Sequence, residues 1–328
     1  MNLAVIAGGS VSPDWKSWYV KDKEKYLFDG DTVHVVFNPL FNYCFFWDNG
    51  CFLNLAEWED ELPDLDLDVI VYANERHGLD ELHWDKYSVD RLKNKYPKAK
   101  VIGFIKEITV PPHRYKNWIR FLNDCDYVVA PATGRMKKLP VYKTIQSELN
   151  KKINFFTTPH DIEGIYDKFY SNVKDNAIFA YLPNPMHRRG RTVEFAEYIG
   201  KKYNIPVIRK PFTNGSNDAK YMAWDDFTNL WSPCLWHFNL DPSNLQQGAH
   251  IVAVANVGCI NIGGVNESHH ILFPETATCD EKILEEKFEL YFKDDDKRFE
   301  VINYAWEKLN ESYSMDLVRN QLLEMLGD

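Results

Sequence analysis

The chain has 328 residues, a formal net charge of −10, 45% hydrophobic and 26% charged residues. That length is too great for one ordinary α/β domain and suits two of roughly 150 residues each, and that balance excludes the disordered and fibrous classes. No run approaches the roughly 20 apolar residues that span a bilayer, and the acidic balance argues against a general affinity for nucleic acid, which needs basic surface to neutralise phosphates.

Met1 to Ile6 carries no basic residue ahead of its apolar stretch and runs into Gly8-Gly9, so it reads as a first strand and not as a signal peptide. Short apolar or β-branched runs then alternate with amphipathic stretches, the pattern of βα units. Strands are expected at 3–7, 32–37, 69–72, 101–105, 127–130 and 153–156. Most lack strict polar alternation, as strands covered on both faces of a parallel sheet do. Tyr87, Leu92 and Tyr96 mark one helical stretch between them, and Trp118, Phe121 and Leu122 another.

Residues 157–176 interrupt the pattern, and the second half repeats it. A strand at 177–182 leads to a helix at 192–203 and a strand at 206–208. A strand at 235–238, a helix at 244–256, a strand at 259–262 and a short apolar run at 270–273 follow. Helices at 280–292, 297–309 and 315–326 close the chain. The expected organisation is α/β, with two Rossmann-like domains over 1–160 and 161–328, the second carrying the terminal helices. The six scattered cysteines form no C-x-x-C and no zinc-finger spacing, which suits reduced thiols in a cytoplasmic protein.

Several segments carry chemistry. Gly8, Gly9 and Ser10 follow the first strand, where glycines let the backbone approach a ligand and free N–H groups hold an anion. The segment is neither a dinucleotide fingerprint nor a P-loop. Tyr181–Arg191 (Y-L-P-N-P-M-H-R-R-G-R) joins a strand to a helix start and brings Arg188, Arg189 and Gly190 to it. Guanidinium groups beside a helix N-terminus suit a diphosphate. Glu75 and His77 follow the strand at 69–72, and either side chain suits a general base. Asp64, Asp66 and Asp68 resemble a D-x-D metal motif, but they precede a strand and the leucines between them alternate into a core, so a solvated face is expected and no metal. Asp294, Asp295 and Asp296 fit a helix cap with first-turn acids. His269 and His270 are expected to be structural.

From Phe238 to Ile262 the chain reads F-N-L-D-P-S-N-L-Q-Q-G-A-H-I-V-A-V-A-N-V-G-C-I-N-I. A strand ends, Asp241-Pro242-Ser243 turns and caps, and a helix runs to Gly258. Here the chain resembles the carboxyl domain of GT-B glycosyltransferases, in particular the family-4, group 1-like retaining enzymes. Ser243 to Gly258 and Val254-Ala255-Asn256-Val257-Gly258-Cys259-Ile260 follow that group's pattern. Arg188, Arg189 and Gly190 match the start of its first helix, and Thr158-Pro159-His160-Asp161 with Phe169 resembles its interdomain segment. Both glutamates of the group's Glu-x7-Glu helix are missing: Gln246 or Gln247 falls near the first position and Ala253 at the second.

The resemblance implies a GT-B fold, two Rossmann-like domains facing a central cleft. It also implies sugar transfer from a nucleotide-diphosphate sugar to an acceptor hydroxyl, with no metal and no cofactor beyond the donor substrate. The donor would be held by Arg188, Arg189, Gly190, Asp241, Ser243, Asn244, Gln246 and Gln247. The acceptor (a glycan, a small molecule or modified DNA) would lie near Gly8, Gly9 and Ser10, with His77 or Glu75 as catalytic base. Three alternatives stay open: a nucleotide-sugar epimerase-like enzyme, a glycosyltransferase acting on modified bases in DNA, and a non-catalytic two-lobe binding protein.

Overall fold

The computed structural model describes residues 1–8, 17–22, 40–58, 61–74, 88–105, 115–132, 134, 136–181, 191–209, 224–240, 242 and 249–327. The chain forms two compact units, one of Met1–Pro159 with Met315–Asp328 and one of His160–Ser314.

Among the described residues the first unit is built on a seven-stranded sheet of order β2-β3-β1-β4-β5-β6-β7. Its strands are β1 (Leu3–Gly8), β2 (Trp18–Tyr19), β3 (Cys51–Asn54), β4 (Val69–Asn74), β5 (Lys100–Phe104), β6 (Tyr127–Pro131) and β7 (Ile153–Phe156). All neighbours run parallel except the edge pair β2–β3. Successive side chains of a strand point to opposite faces, and here both faces are covered. Ala4 and Ile6 join Ile70, Tyr72 and Val101 in one core, while Leu3, Val5 and Ala7 join Val69, Val71 and Ile102 in the other. That is why these runs show no polar alternation.

The sequence reading missed β3. It is only four residues long and buried throughout, so it carries no period, and it follows an aromatic 3-10 turn, Phe41–Phe46. Gly50 makes this approach feasible, since a Cβ there would overlap the Cys44 carbonyl. The strand expected at 32–37 lies outside the described residues.

The helix Met315–Leu326 was expected with the second domain but belongs to the first unit. Its buried Val318 and Leu322 pack in the same core as Val5, Val71 and Phe156.

The second unit holds a parallel sheet of order β11-β10-β8-β9, made of β8 (Asp175–Ala180), β9 (Val207–Arg209), β10 (Cys234–Phe238) and β11 (Ile260–Ile262). On one face Ile178, Trp236, Phe238 and Ile260 pack against Phe195 and Ile199 of the helix Thr192–Tyr203 and Leu284 and Phe288 of the helix Glu281–Lys293. The register sets Phe179, His237 and Asn261 side by side across β8, β10 and β11, so by alternation they share the opposite face. The helix Ala249–Asn256 is buried from His250 to its end, as a helix apolar all round must be.

Of the apolar run at 270–273, His270 to Leu272 close a short helix, Glu267–Leu272, and Phe273 follows its end; Asn266 starts it, its side chain accepting from the His269 N–H at 3.1 Å. Asp294 caps the helix Asp295–Tyr313 as expected, accepting from the Lys297 N–H at 3.1 Å. No helix among the described residues is long and apolar enough to cross a membrane.

Candidate functional site

An open parallel sheet presents a crevice beyond the carboxyl ends of its strands, at the point where successive connections leave in opposite directions. In the second unit the chain passes from β8 to β9 on one side, then returns to place β10 on the other. The switch therefore lies between β8 and β10, whose ends are paired through Ala180 and Phe238 and through Tyr181 N–H to the Phe238 carbonyl at 2.9 Å. In the first unit the switch lies between β1 and β4, which end on the paired residues Gly8 and Asn74.

The sequence candidates follow these strand ends in the chain. Gly8 ends β1. Gly9, Ser10, Glu75 and His77 follow Gly8 and Asn74 in the chain and lie outside the described residues. Arg188, Arg189 and Gly190, within 182–190 after β8, and Asp241, Ser243, Asn244, Gln246 and Gln247 after β10 also lie outside them.

What borders those segments is described. The 12-residue helix Thr192–Tyr203 begins at Arg191, which contributes no side-chain cap. Such a start leaves N–H groups and the positive dipole end open to an anion. The Thr192 hydroxyl is turned to the sheet, where its Oγ1 accepts the Leu240 N–H at 2.9 Å. This bond ties the helix start to the end of β10. Arg191 is exposed and pairs with Glu281 at 3.3 Å.

On the sheet face behind the crevice lies a buried polar cluster of histidines, of which the sequence singled out His269 but not His237 or His250. His237 on β10 meets His250, near the start of the helix Ala249–Asn256, with Nε2 atoms 2.6 Å apart. On its other side His237 Nδ1 is 3.1 Å from Asn261 Oδ1, and Asn261 Nδ2 donates to the Gly263 carbonyl at 2.7 Å. The Tyr181 ring stacks on His250 with centroids 4.1 Å apart and planes 20° from parallel, and Trp231 meets it edge-on at 4.9 Å. His269 Nε2 lies 3.5 Å from Asn239 Nδ2, its ring seated over Gly264, which has φ +87°.

Burial holds these rings uncharged. It lowers the pKa of His237 to about 4 and of His269 to about 3. His250 is held well below the usual range by burial first and by its histidine neighbours second. The available signal was weak: His237 sits in the apolar strand C-L-W-H-F and His250 heads an apolar helix. Both read as core residues until the register brings them together.

The acidic stretch forms a solvated face. Asp64 pairs with Lys95, Asp66 with Lys98 at 3.3 Å, and Asp68 Oδ2 accepts the Asn2 N–H at 2.8 Å. Of the leucines between them Leu67 is buried and Leu65 is half-buried, packed against the same core. Among the described residues no three His, Cys, Asp or Glu side chains gather as a metal-holding group.

No family model matches the sequence, and no curated protein matches it. The fold, by contrast, has clear counterparts among solved structures. One is an α-glucosyltransferase in complex with UDP-glucose and DNA containing an abasic site, 12% identical over the whole of both chains with a TM-score of 0.61. Another is Anabaena HepE in complex with UDP and glucose, 9% identical over the whole of both chains at a TM-score of 0.58. A third is the GtfA/B complex, 9% identical over 80% of this chain and 57% of its own, at 0.51. At these identities the likeness is one of fold, and the fold is GT-B.

Proposed function

We propose that this chain is a glycosyltransferase that moves a sugar from a nucleotide-diphosphate sugar to an acceptor hydroxyl. The observation that carries the reading is the placement of the second unit's switch point. The β8 and β10 ends that flank it lead into the Arg188-Arg189-Gly190 segment and the Asp241–Gln247 segment, beside a helix start with no side-chain cap. The ligands named for the similar structures, UDP, UDP-glucose and UDP with glucose, support a nucleotide sugar as donor.

In this proposal the donor's diphosphate lies against Arg188, Arg189, Gly190 and the first turn of the helix Thr192–Tyr203. Its sugar and ribose are held by Asp241, Ser243, Asn244, Gln246 and Gln247. The acceptor binds the first unit near Gly8, Gly9 and Ser10. During transfer the bond from the sugar's anomeric carbon to the diphosphate oxygen breaks, and the diphosphate leaves with the electron pair. A new bond forms from that carbon to the acceptor oxygen, whose proton passes to His77 or Glu75. Guanidinium groups and fixed N–H dipoles stabilise the charge growing on the diphosphate, a task for which no metal is required. The six cysteines, none of them in a disulfide and five of them buried, suit work in the cytoplasm.

A base in DNA is one acceptor class with specific support, since an α-glucosyltransferase of this fold is known with DNA bound. With a net charge of −10, DNA would have to be met by a local concentration of lysine and arginine.

The test is an Arg188→Ala, Arg189→Ala double variant assayed with UDP-glucose against glycan, small-molecule and hydroxymethylated-DNA acceptors. The expected result is a fall in transfer of about 100-fold or more with unchanged thermal stability. A near-normal rate would overturn the diphosphate assignment. Conversion of the donor alone, without acceptor, would favour an epimerase, and binding without turnover a two-lobe binding protein.

A further inference from the structure

The cluster behind the β8–β10 crevice has a defined proton order. Asn261 Nδ2 donates to the Gly263 carbonyl, which leaves Oδ1 as the amide atom that faces His237. An amide oxygen only accepts, so His237 Nδ1 carries the proton and, the ring being neutral, His237 Nε2 bears a lone pair. The 2.6 Å contact between the two Nε2 atoms then requires the proton to sit on His250. A neutral His250 protonated at Nε2 is bare at Nδ1. That nitrogen is fully buried and has no hydrogen-bond partner among the described residues. A buried acceptor left unmatched is costly, and its retention calls for an explanation.

Placement supplies one. His250 is stacked on Tyr181, the residue that follows β8, and bonded to His237 of β10. It therefore stands between the two strands that flank the switch point. Tyr181 stacks on its ring and Trp231 meets it edge-on, and together with the bond to His237 these contacts fix the ring's orientation.

We infer that Nδ1 of His250 is a preset acceptor for a hydroxyl proton of the donor, from its ribose or its transferred sugar. The inference rests on the proposed nucleotide-sugar reading of this crevice. The chemistry selects the partner: a lone pair repels phosphate oxygens, which have no proton to give, and welcomes an O–H. The chain Gly263–Asn261–His237 acts through His250, fixing its tautomer; these are positioning residues.

The experiment is ¹⁵N spectroscopy of histidine-labelled full-length protein, with the His250 signals assigned from a His250→Asn variant. Calorimetry in parallel establishes saturation with UDP and with UDP-glucose. In the free protein His250 Nε2 should be protonated and Nδ1 bare. On saturation the Nδ1 resonance should move toward the hydrogen-bonded position while Nε2 stays. A shift with UDP assigns the ribose, and a shift that needs UDP-glucose assigns the transferred sugar. A protonated Nδ1 in the free protein, or an unmoved Nδ1 at calorimetric saturation, overturns the inference and leaves the proposed function standing. Absence of calorimetric binding by UDP and UDP-glucose, and equally by GDP, ADP, CMP and their sugar conjugates, overturns the proposed function and this inference with it.

Discussion

Acidification should unfold the second unit well before carboxylate titration is complete, because four buried imidazoles there must stay neutral. His160, His237, His250 and His269 are each at most 6% exposed. Burial lowers His160 and His269 to about 3 and His237 to about 4, and holds His250 lower than its usual range. The unfolded chain takes up these protons near pH 6.5. Between that value and about 3 to 4 the unfolded state binds more protons than the folded one, so stability is complete above pH 6.5 and falls as pH drops. At pH 5.0 each ring whose folded pKa is 4 or less contributes a loss of about 2 kcal/mol relative to pH 7.5. Three such rings, His160, His237 and His269, lose roughly 6 kcal/mol, within the range of the whole stability of an ordinary domain, and His250, held low by the same burial, adds to the loss. Hydrogen exchange at the two pH values, corrected for intrinsic rates, resolves the units. Amides of β8, β10 and β11 should lose protection at pH 5.0 while those of β1 and β4 keep most of theirs. A change in the free energy of opening of the second unit below about 2 kcal/mol would refute the reasoning, since it would mean that most of the four rings already accept a proton when folded.

Two further outcomes follow from packing. Gly264→Ala should lower the Tm of the second unit by on the order of 5 °C, the equivalent of about 2 kcal/mol. Its φ of +87° disfavours a side chain, and the new methyl would drive into the His269 ring; an unchanged melting profile would contradict this. A thiol reagent applied to the native protein should modify Cys279 well ahead of Cys44, Cys51, Cys125, Cys234 and Cys259. Those five are buried, whereas Cys279 is half-buried, and burial pushes Cys51 and Cys234 up to about 12 and Cys259 to about 11. Mass spectrometry of the partly modified protein reads the order, and early labelling of any of the five would refute it.

Much of the architecture was legible because continuous apolar strands and amphipathic helices announce themselves in single segments. The strand at 153–156 and the helices at 192–203 and 315–326 fall where the sequence places them, and the GT-B resemblance read from 238–262 agrees with the fold. Less regular pieces were not legible. The strand Cys51–Asn54 is too short and too uniformly buried to show a period. The helices Pro140–Glu148, Ile162–Phe169 and Trp224–Trp231 also passed unnoticed, each too short for a clear amphipathic repeat.

The candidate site divides along the same line. Basic residues ahead of a helix and a glycine pair after a first strand are local features, so the sequence alone nominates them. By itself it also determines the two α/β halves, since hydrophobic periodicity acts within one element. Tertiary structure decided what depends on register and chain return. It placed the helix Met315–Leu326 in the first unit, though it follows the second in the chain. It put the switch points between β1 and β4 and between β8 and β10. It also joined His237 to His250 and Asn261, residues 13 and 24 positions away, because only a parallel register and a packed helix can bring such distant polar groups into one hydrogen-bonded row.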